Sequence, residues 1–587
     1  MSGSVLPPAF IFLAGALIAP LLRGPLLKGW TLLVPALSLA WLYTLPDGAS
    51  WGVSFLGLDL VLFQVDQLSR VFGYIFHLIT ILGMLYAFHV QDRMQPAVGL
   101  LYAGAAMGVT FAGDLFTLFL FWETLTVGAT FLIVARKTPQ ALAAAFRYLL
   151  VHAAGGLCLL TGIIIHVNHT GSAAFGQLGL GGPGTLLIFL GFGLNCAWPF
   201  LHAWLVDSYP EATISGTIFL SAFTTKTAVY VLARAFPGTE ELIWIGAAMV
   251  AFPIFFAVIE NDLRRVLAYS LINQVGYMVV GIGIGTELAL NGAVAHAYAH
   301  ILYKSLLFMA MGAVLFRTGK INATDLGGLY RTMPLTAFFC IIGAASISAF
   351  PLFSGFISKS MVIDAAAHGE LQLVWFLLVF ASAGVFHHAG IKIPFFAFFS
   401  HDSGLRPKEA PLHMLLAMGG AAFMCVFIGV YPEFLYSMLP YPVDYVPYTV
   451  AHVVAQSQLL FFSALAFTLL LLSGIYPAEI RAINLDADWF YRKGGRMLYR
   501  SADYTFNRLN SWGDQLFVRR LPAALARFFV DPADRLHALF VAPYYKMIGK
   551  EIPADKPGRC ERSAYPVGGG VLLAVLFLAL MSFLFFL

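Results

Sequence analysis

The sequence predicts an all-α polytopic membrane protein of about sixteen transmembrane helices. Three observations carry that expectation. The chain is 60% hydrophobic and only 11% charged, whereas soluble domains carry about 25% charged residues. Apolar runs long enough to cross a bilayer recur from end to end. The loops between those runs alternate between basic and nearly free of Lys and Arg.

The runs fall at 6–22, 28–45, 68–90, 95–112, 114–135, 141–167, 184–206, 212–236, 241–259, 264–286, 290–316, 335–361, 371–398, 411–435, 450–475 and 566–587. The first has no basic n-region and reads as a spanning helix, not a cleaved signal peptide. The run DLFTLFLFWETLTVGATFLIVA, Asp114 to Ala135, is about 33 Å long as a helix and carries one internal charge, Glu123. Two runs are interrupted by proline or glycine: NCAWPFLHAW (Asn195 to Trp204) and SISAFPLFSGFISK (Ser346 to Lys359). Such breaks free backbone groups that can line a polar path. GIGIGT (Gly281 to Thr286) lacks the spacing and strand context of a nucleotide loop and reads as close helix packing.

Loops after odd-numbered runs hold Arg23, Lys28, Arg93, Arg136, Lys137, Arg264, Arg265, Arg317, Lys320, Arg406 and Lys408; the exceptions are the loop from Asp207 to Glu211, which has no basic residue, and Arg70 at a helix start. By the positive-inside rule these loops are cytoplasmic, and both termini are periplasmic in a bacterial inner membrane. Asp207, Tyr209 and Glu211 in LVDSYPEA read as capping or bridging residues. The stretch from Arg481 to Ala564 holds 15 Lys/Arg and 9 Asp/Glu among aromatic and aliphatic residues. It reads as amphipathic helices on the cytoplasmic interface tethered by the final run, or as a small soluble lobe. The five cysteines, Cys158, Cys196, Cys340, Cys425 and Cys560, form no CxxC pair. That argues against disulfides, iron–sulfur clusters and zinc, and no cofactor is expected.

Ionisable residues placed away from helix ends carry the functional signal: Glu123, Arg147, His152, Lys226, His296, His300, Lys304, Lys359, His388 and Lys392. Glu123 with the four lysines Lys226, Lys304, Lys359 and Lys392 would cost on the order of 12–18 kcal/mol before pairing or hydration. His296, His300 and Lys304 stand at i, i+4 and i+8 and share one helix face. Two imidazoles and a lysine in line suit a proton relay. They also suit a hydrogen-bonded polar seam; half a zinc site would need the glutamate of HExxH, which is absent. Lys226, flanked by Thr224, Thr225 and Thr227, is the natural partner for Glu123, either as a static pair or as one whose separation changes. Lys359 reads as a gate or as a snorkelling side chain, and Lys392 as a gate or helix-end anchor.

At these residues the chain resembles the antiporter-like proton-channel subunits of Mrp-type antiporters and of respiratory complex I. The stretches that carry the resemblance are DLFTLFLFWETLTVGATFLI, LHAWLVDSYPEA, ENDLRRVLAYSLINQVGYM, HAYAHILYKSLLFMAMGAVL and ISAFPLFSGFISK. With FLSAFTTKTAVYVLARAF the chain looks most like the D component of the Mrp type. The resemblance implies two inverted five-helix repeats, each with a broken helix. It divides the chain into N-terminal helices (1–94), a first repeat (95–237), a second repeat (238–400), C-terminal helices (401–480), the amphipathic segment (481–565) and a final span (566–587). It implies a proton path through Glu123, Lys226, His296, His300, Lys304 and Lys359; Arg147, His152, Asn195, His202, His388 and Lys392 are candidate accessory positions of this chain. Asn195 departs from the pattern, because the family usually has lysine seven residues before His202. Either Lys226 takes over that role or the first half-channel is altered; a coordinating role for Asn195 toward a dehydrated cation is a further alternative. Arg147 stands where members often have lysine, and arginine cannot usefully release its proton.

The function implied is proton translocation in a multisubunit Na+/H+ or K+/H+ antiporter, with no covalent chemistry. The implied partners are other membrane subunits, protons, Na+ or K+ and lipid, with no nucleic acid. The alternatives are a pumping arm of a complex I-like or hydrogenase enzyme, a membrane partner for proton-driven inorganic-carbon uptake, and a mainly structural role.

Overall fold

The computed structural model describes residues 6–55, 57–477, 479–482, 484–530, 535–551 and 567–585. The chain divides into a first unit ending at Tyr491 and a second beginning at Arg492.

In the first unit, α1 (Pro8–Ile18) and α2 (Gly24–Thr44) lead into an antiparallel hairpin of β1 (Ser50–Phe55) and β2 (Leu58–Gln64). Ser50 faces Gln64 and Phe55 faces Leu58. The all-α expectation omits this hairpin, whose signal is the apolar alternation in LDLVLFQ. The helices α3 (Gln67–Tyr86) and α4 (Met94–Phe111) follow. A capping box of Asp66 and Ser69 starts α3.

Two matched series come next. The first is α5 (Leu115–Val134), α6 (Pro139–Thr170), α7 (Pro183–Asn195), α8 (Ala203–Ser208), α9 (Gly216–Ala222) and α10 (Thr224–Ala235). The second is α11 (Glu240–Ile259), α12 (Leu263–Ile284), α13 (Glu287–Thr318), α14 (Pro334–Ile347), α15 (Ser354–His368) and α16 (Gln372–Val385), extended by π-helical turns to Phe399. Asp114 caps α5 and bridges to Ala174; Asp262 caps α12 and bridges to Asn322. Both α6 and α13 have 32 residues.

The two broken helices match in detail. Ala197 and Phe200 have φ of 60° and 66°, and Ala349 and Leu352 have 59° and 73°. Trp198 N bonds Gly193 O, and Phe350 N bonds Ala345 O. Each left-handed non-glycine residue costs roughly 1–2 kcal/mol, so the shape persists because surrounding helices hold it. With α4 added and α9 and α10 taken as one interrupted helix, the first series matches the second helix for helix.

The remaining helices of this unit are α17 (Leu412–Val430), α18 (Glu433–Tyr436) and α19 (Val450–Leu472). Among the described residues, eleven helices are long and apolar enough to cross a membrane. Pro8–Leu21, Pro183–Asn195, Pro334–Ile347 and Val571–Phe585 are shorter apolar helices. The joined helix Gly216–Ala235 is 100% buried in its apolar window, Leu263–Ile284 is 94% buried and Glu287–Thr318 is 89% buried, against 11% for Val450–Leu472. The first unit thus has inner helices wrapped by others, and Lys226, His296, His300 and Lys304 lie on them.

The second unit contains most of α20 (Asp488–Gly513), then α21 (Leu521–Val530), α22 (Ala542–Met547) and α23 (Val567–Phe585). The described side chains of α20 to α22 expose Trp489, Phe490, Met497, Phe506 and Trp512 along with many arginines. Cys560 and the rest of 552–566 lie outside the described residues.

Close approach of α11 and α12 depends on glycine. A Cβ on Gly276 would meet Val250 N at 2.8 Å and Gly246 O at 2.9 Å. In the GIGIGT stretch, a Cβ on Gly283 would press on Leu242 C at 2.9 Å, and Gly285 ends α12 at φ 73°. Gly276→Ala is expected to destabilise the protein by about 1–3 kcal/mol through overpacking, seen as a lower Tm in detergent by intrinsic fluorescence.

Candidate functional site

Glu123 lies near the middle of α5, and its carboxylate packs on Gly156 of α6, where any Cβ would overlap Oε1. Oε1 is buried with no hydrogen-bond partner among the described residues. One turn before Gly156, on the same face of α6, lies His152. The His152 ring stacks on Tyr148 at 3.8 Å and meets the edge of Trp204 at 4.4 Å. Its Nδ1 is 2.9 Å from Tyr148 O, while Nε2 is buried without a partner among the described residues. Tyr148 Oη lies 3.3 Å from Thr224 Oγ1 at the start of α10.

The helix is interrupted at Phe223 between α9 and α10, which leaves Ser221 O available to a side chain. Lys226 Nζ donates to Ser221 O at 2.7 Å and to Thr225 Oγ1 at 3.1 Å. The structure does not join Glu123 to Lys226: among the described residues no ion pair forms between them. The carboxylate faces α6, the helix that also carries His152 and Tyr148, and Tyr148 in turn reaches Thr224. Both side-chain polar atoms of Asn195 are buried without partners among the described residues. Its neighbour Cys196 is within electrostatic reach of Lys226.

His296, His300 and Lys304 are fully buried on α13. His296 Nδ1 is 3.2 Å from Ser358 Oγ, and its Nε2 is 3.4 Å from Tyr303 Oη. Tyr303 donates to Gln274 Oε1 at 3.1 Å. Neither ring nitrogen of His300, nor Lys304 Nζ, has a hydrogen-bond partner among the described residues. Lys226 on α10 is within electrostatic reach of His296, His300 and Lys304 on α13. Lys359, next to Ser358 on α15, donates to Ile347 O at 2.9 Å and lies 5.2 Å from the Tyr277 ring centre. Ile347 ends α14, so the helix break supplies this acceptor. A cavity of about 710 Å³ reaches Lys359 between α15, α16 and α19, lined also by Asp364, Trp375, Tyr445 and His452.

The accessory positions take defined partners. Arg147 forms a two-pronged ion pair with Asp207 at 2.7 and 2.9 Å, and Arg136 pairs with Glu211 at 3.2 Å. His202 Nε2 is 3.0 Å from Asp486 Oδ1, and Tyr269 donates to Asp486 Oδ2 at 2.8 Å. Lys392 Nζ is 2.8 Å from Glu479 Oε1 and donates to Val258 O and Glu260 O at 2.6 and 2.7 Å. His388 is fully buried one turn before Lys392 and within electrostatic reach of Lys304. Among the described residues, no group of three His, Cys, Asp or Glu is placed to hold a metal ion.

Residues 112–386 match the family described as "NADH:quinone oxidoreductase/Mrp antiporter, TM". Over 393 residues the chain is 30% identical to the N subunit of the NADH-quinone oxidoreductase of Desulforudis audaxviator, covering 60% of this chain and 78% of that protein. The chain belongs to this family. It is also 30% identical over 411 residues to the A/B subunit of a probable K(+)/H(+) antiporter of Rhizobium meliloti, covering 64% of this chain. It is 33% identical over 288 residues to the D subunit of the Na(+)/H(+) antiporter of Alkalihalophilus pseudofirmus, covering 46% of this chain. The chain spans 41% of the length of the first of these two antiporter proteins and 58% of the second. The Mrp complex of Dietzia sp. DQ12-45-1b contains a chain of the same fold, with TM-score 0.66 at 20% identity, over 79% of this chain and 98% of that one.

The family match contains Glu123, Lys226, the α13 face and Lys359, while Lys392 and the segment 476–488 lie beyond it. Sequence reasoning missed that segment. Glu479, Arg481, Asn484 and Asp486 reach Lys392, Asp325, Glu260 and His202 respectively. The signal was the acid-bearing stretch PAEIRAINLDAD directly after an apolar run. Asp486 is desolvated, which by itself raises its pKa, but the hydrogen bond and charge of His202, with the bonds from Ala487 N and Tyr269, together outweigh this and leave it below the usual carboxylate range. A depressed carboxylate stabilises above its unfolded pKa and loses that contribution as pH falls through the folded value. Amide exchange at 484–487 is therefore expected to stay slow at neutral pH and to accelerate only below the ordinary carboxylate range. Asp486→Asn should make it fast at both pH values.

Proposed function

We propose that this chain is the proton-translocating subunit of a multisubunit Na+ or K+/proton antiporter of Mrp type in a bacterial inner membrane. One observation carries the reading: a half-buried carboxylate on α5 is followed by buried titratable side chains on α6, α10, α13 and α15. Buried polar groups without partners cost about 1–3 kcal/mol each, and His300 and Lys304 leave three such atoms together. A purely structural seam would pair them. Groups that must change protonation state and bind internal water need them free. The antiporter names borne by two relatives support the cation/proton assignment.

In this reading, residues 95–237 and 238–400 are two half-channels. Protons pass Glu123, cross to Lys226 by His152, Tyr148 and Thr224, then follow His300, Lys304 and His296 to Lys359. Lys226, beside Cys196 at the first break, replaces the lysine whose usual position is held by Asn195. The basic loops put the Arg264 end of α12 in the cytoplasm. A redox-driven pumping arm is the second reading, supported by the NADH-quinone oxidoreductase relative; the neighbouring genes separate the two.

The test is cation-dependent proton flux in inverted vesicles from an antiporter-deficient host expressing the whole gene cluster. Na+- or K+-driven flux in wild type and its loss in an assembled Lys304→Ala complex are expected. No flux with any cation from an assembled wild-type complex would move the assignment to the redox reading. Gly156→Ala is expected to assemble yet cut flux at least about tenfold, the effect of about 1.4 kcal/mol on a barrier, by displacing the Glu123 carboxylate. Asn195→Lys places a second amine near Lys226, and a shifted pH profile of flux is the expected result.

A further inference from the structure

Among the buried titratable groups the path above does not use are His388 and Lys392, which a carboxylate meets from outside the helices. Lys392 is fully buried at the C-terminal end of α11, where its ammonium takes the Val258 and Glu260 carbonyls. Glu479, with a side chain only 8% exposed, supplies the opposite charge at 2.8 Å. Glu479 belongs to the segment after α19, held by Tyr476 stacked on His387 and by Asn484 donating to Glu260 Oε2 at 3.0 Å. From this pair, buried groups lead inward: His388 lies one turn before Lys392, within electrostatic reach of both Lys392 and Lys304. The charged and titratable groups facing the pair are Glu260 from the end of α11, His387 and His388 from the turns after α16, and Tyr476 from the segment itself.

Position separates this branch from Lys359. Trp375, near the start of α16, lines the Lys359 cavity, and Lys392 lies about 25 Å further along the same helix at about 1.5 Å per residue. A buried ion pair is seldom more stabilising than apolar residues of like volume, so stability alone does not account for it. We propose that Glu479 is a further proton-exchanging residue: with Lys392 and His388 it forms a port into the Lys304 relay at the end of the second series opposite the Lys359 cavity. Glu479 accepts the proton of the Lys392 ammonium, leaving a neutral amine and a carboxylic acid. The amine is reprotonated from Lys304 through His388, and Glu479 releases its proton to the aqueous side. The reverse sequence loads the relay.

The inference rests on the proton-path reading, and the experiment separates their failures. Cation-driven proton flux is measured in inverted vesicles for the assembled complex with Glu479→Gln, Glu479→Asp and Lys304→Ala. Flux reduced at least tenfold in Glu479→Gln, with Glu479→Asp restoring it on a shifted pH profile, is expected. Wild-type flux in Glu479→Gln alongside loss in Lys304→Ala overturns the Glu479 port and leaves the path intact. Wild-type flux in Lys304→Ala overturns the path itself. Where Glu479→Gln fails to assemble, the double variant Glu479→Gln/Lys392→Met removes the unpaired charge. Lost flux from that assembled double variant supports the port, and wild-type flux shows a structural pair and overturns it.

Discussion

The cost of an ammonium group in an apolar slab governs this structure. A lysine at the bilayer centre is tolerated only where protein or water surrounds it. Lys226, Lys304, Lys359 and Lys392 are all buried, and Lys226 and Lys304 lie on helices that others enclose. The apolar windows of α12 and α13 are almost wholly covered, whereas α19 keeps most of its surface outward. The layered arrangement of the first unit follows: an outer set of helices faces lipid so that an inner set can carry charge.

Breaks in helices do the complementary work. A helix commits its interior carbonyls to its own amides and leaves only those of its last turn to accept from a lysine. Lys226 bonds Ser221 O beside the Phe223 interruption, Lys359 bonds Ile347 O at the end of α14, and Lys392 takes carbonyls at the end of α11. In each case an ammonium sits where the backbone has stopped satisfying itself. Those carbonyls carry the partial negative charge of a helix terminus. The four positive-φ residues at the two breaks show that strain is accepted to hold this shape.

Two kinds of buried polar group therefore coexist. Lys226, Lys359 and Lys392 are bonded, and the acceptors fix their positions. Glu123 Oε1, the His300 ring and Lys304 Nζ have no protein partner among the described residues. The first kind anchors charge at helix ends, and His300 and Lys304 stand in the chain between two of these anchors, Lys226 and Lys359. That alternation suits stepwise transfer better than a continuous fixed network, in which every proton would already be committed.

The sequence by itself determined that the chain spans a membrane many times, where its two helix breaks fall, and which side chains would be costly in lipid. These follow from local quantities: run length, proline and glycine positions, and charge within an apolar stretch. The i, i+4, i+8 face of α13 was legible for the same reason, since helical geometry fixes it. Partners were not legible. Glu123 and Lys226 read as a natural pair, yet Gly156 admits the carboxylate on one side while the Phe223 break draws the amine to the other. The β1–β2 hairpin and the reach of Glu479 and Asp486 back to Lys392 and His202 were equally hidden. Contacts between residues far apart in the chain depend on helix orientation and on where glycine permits close approach, and only the tertiary structure decides those.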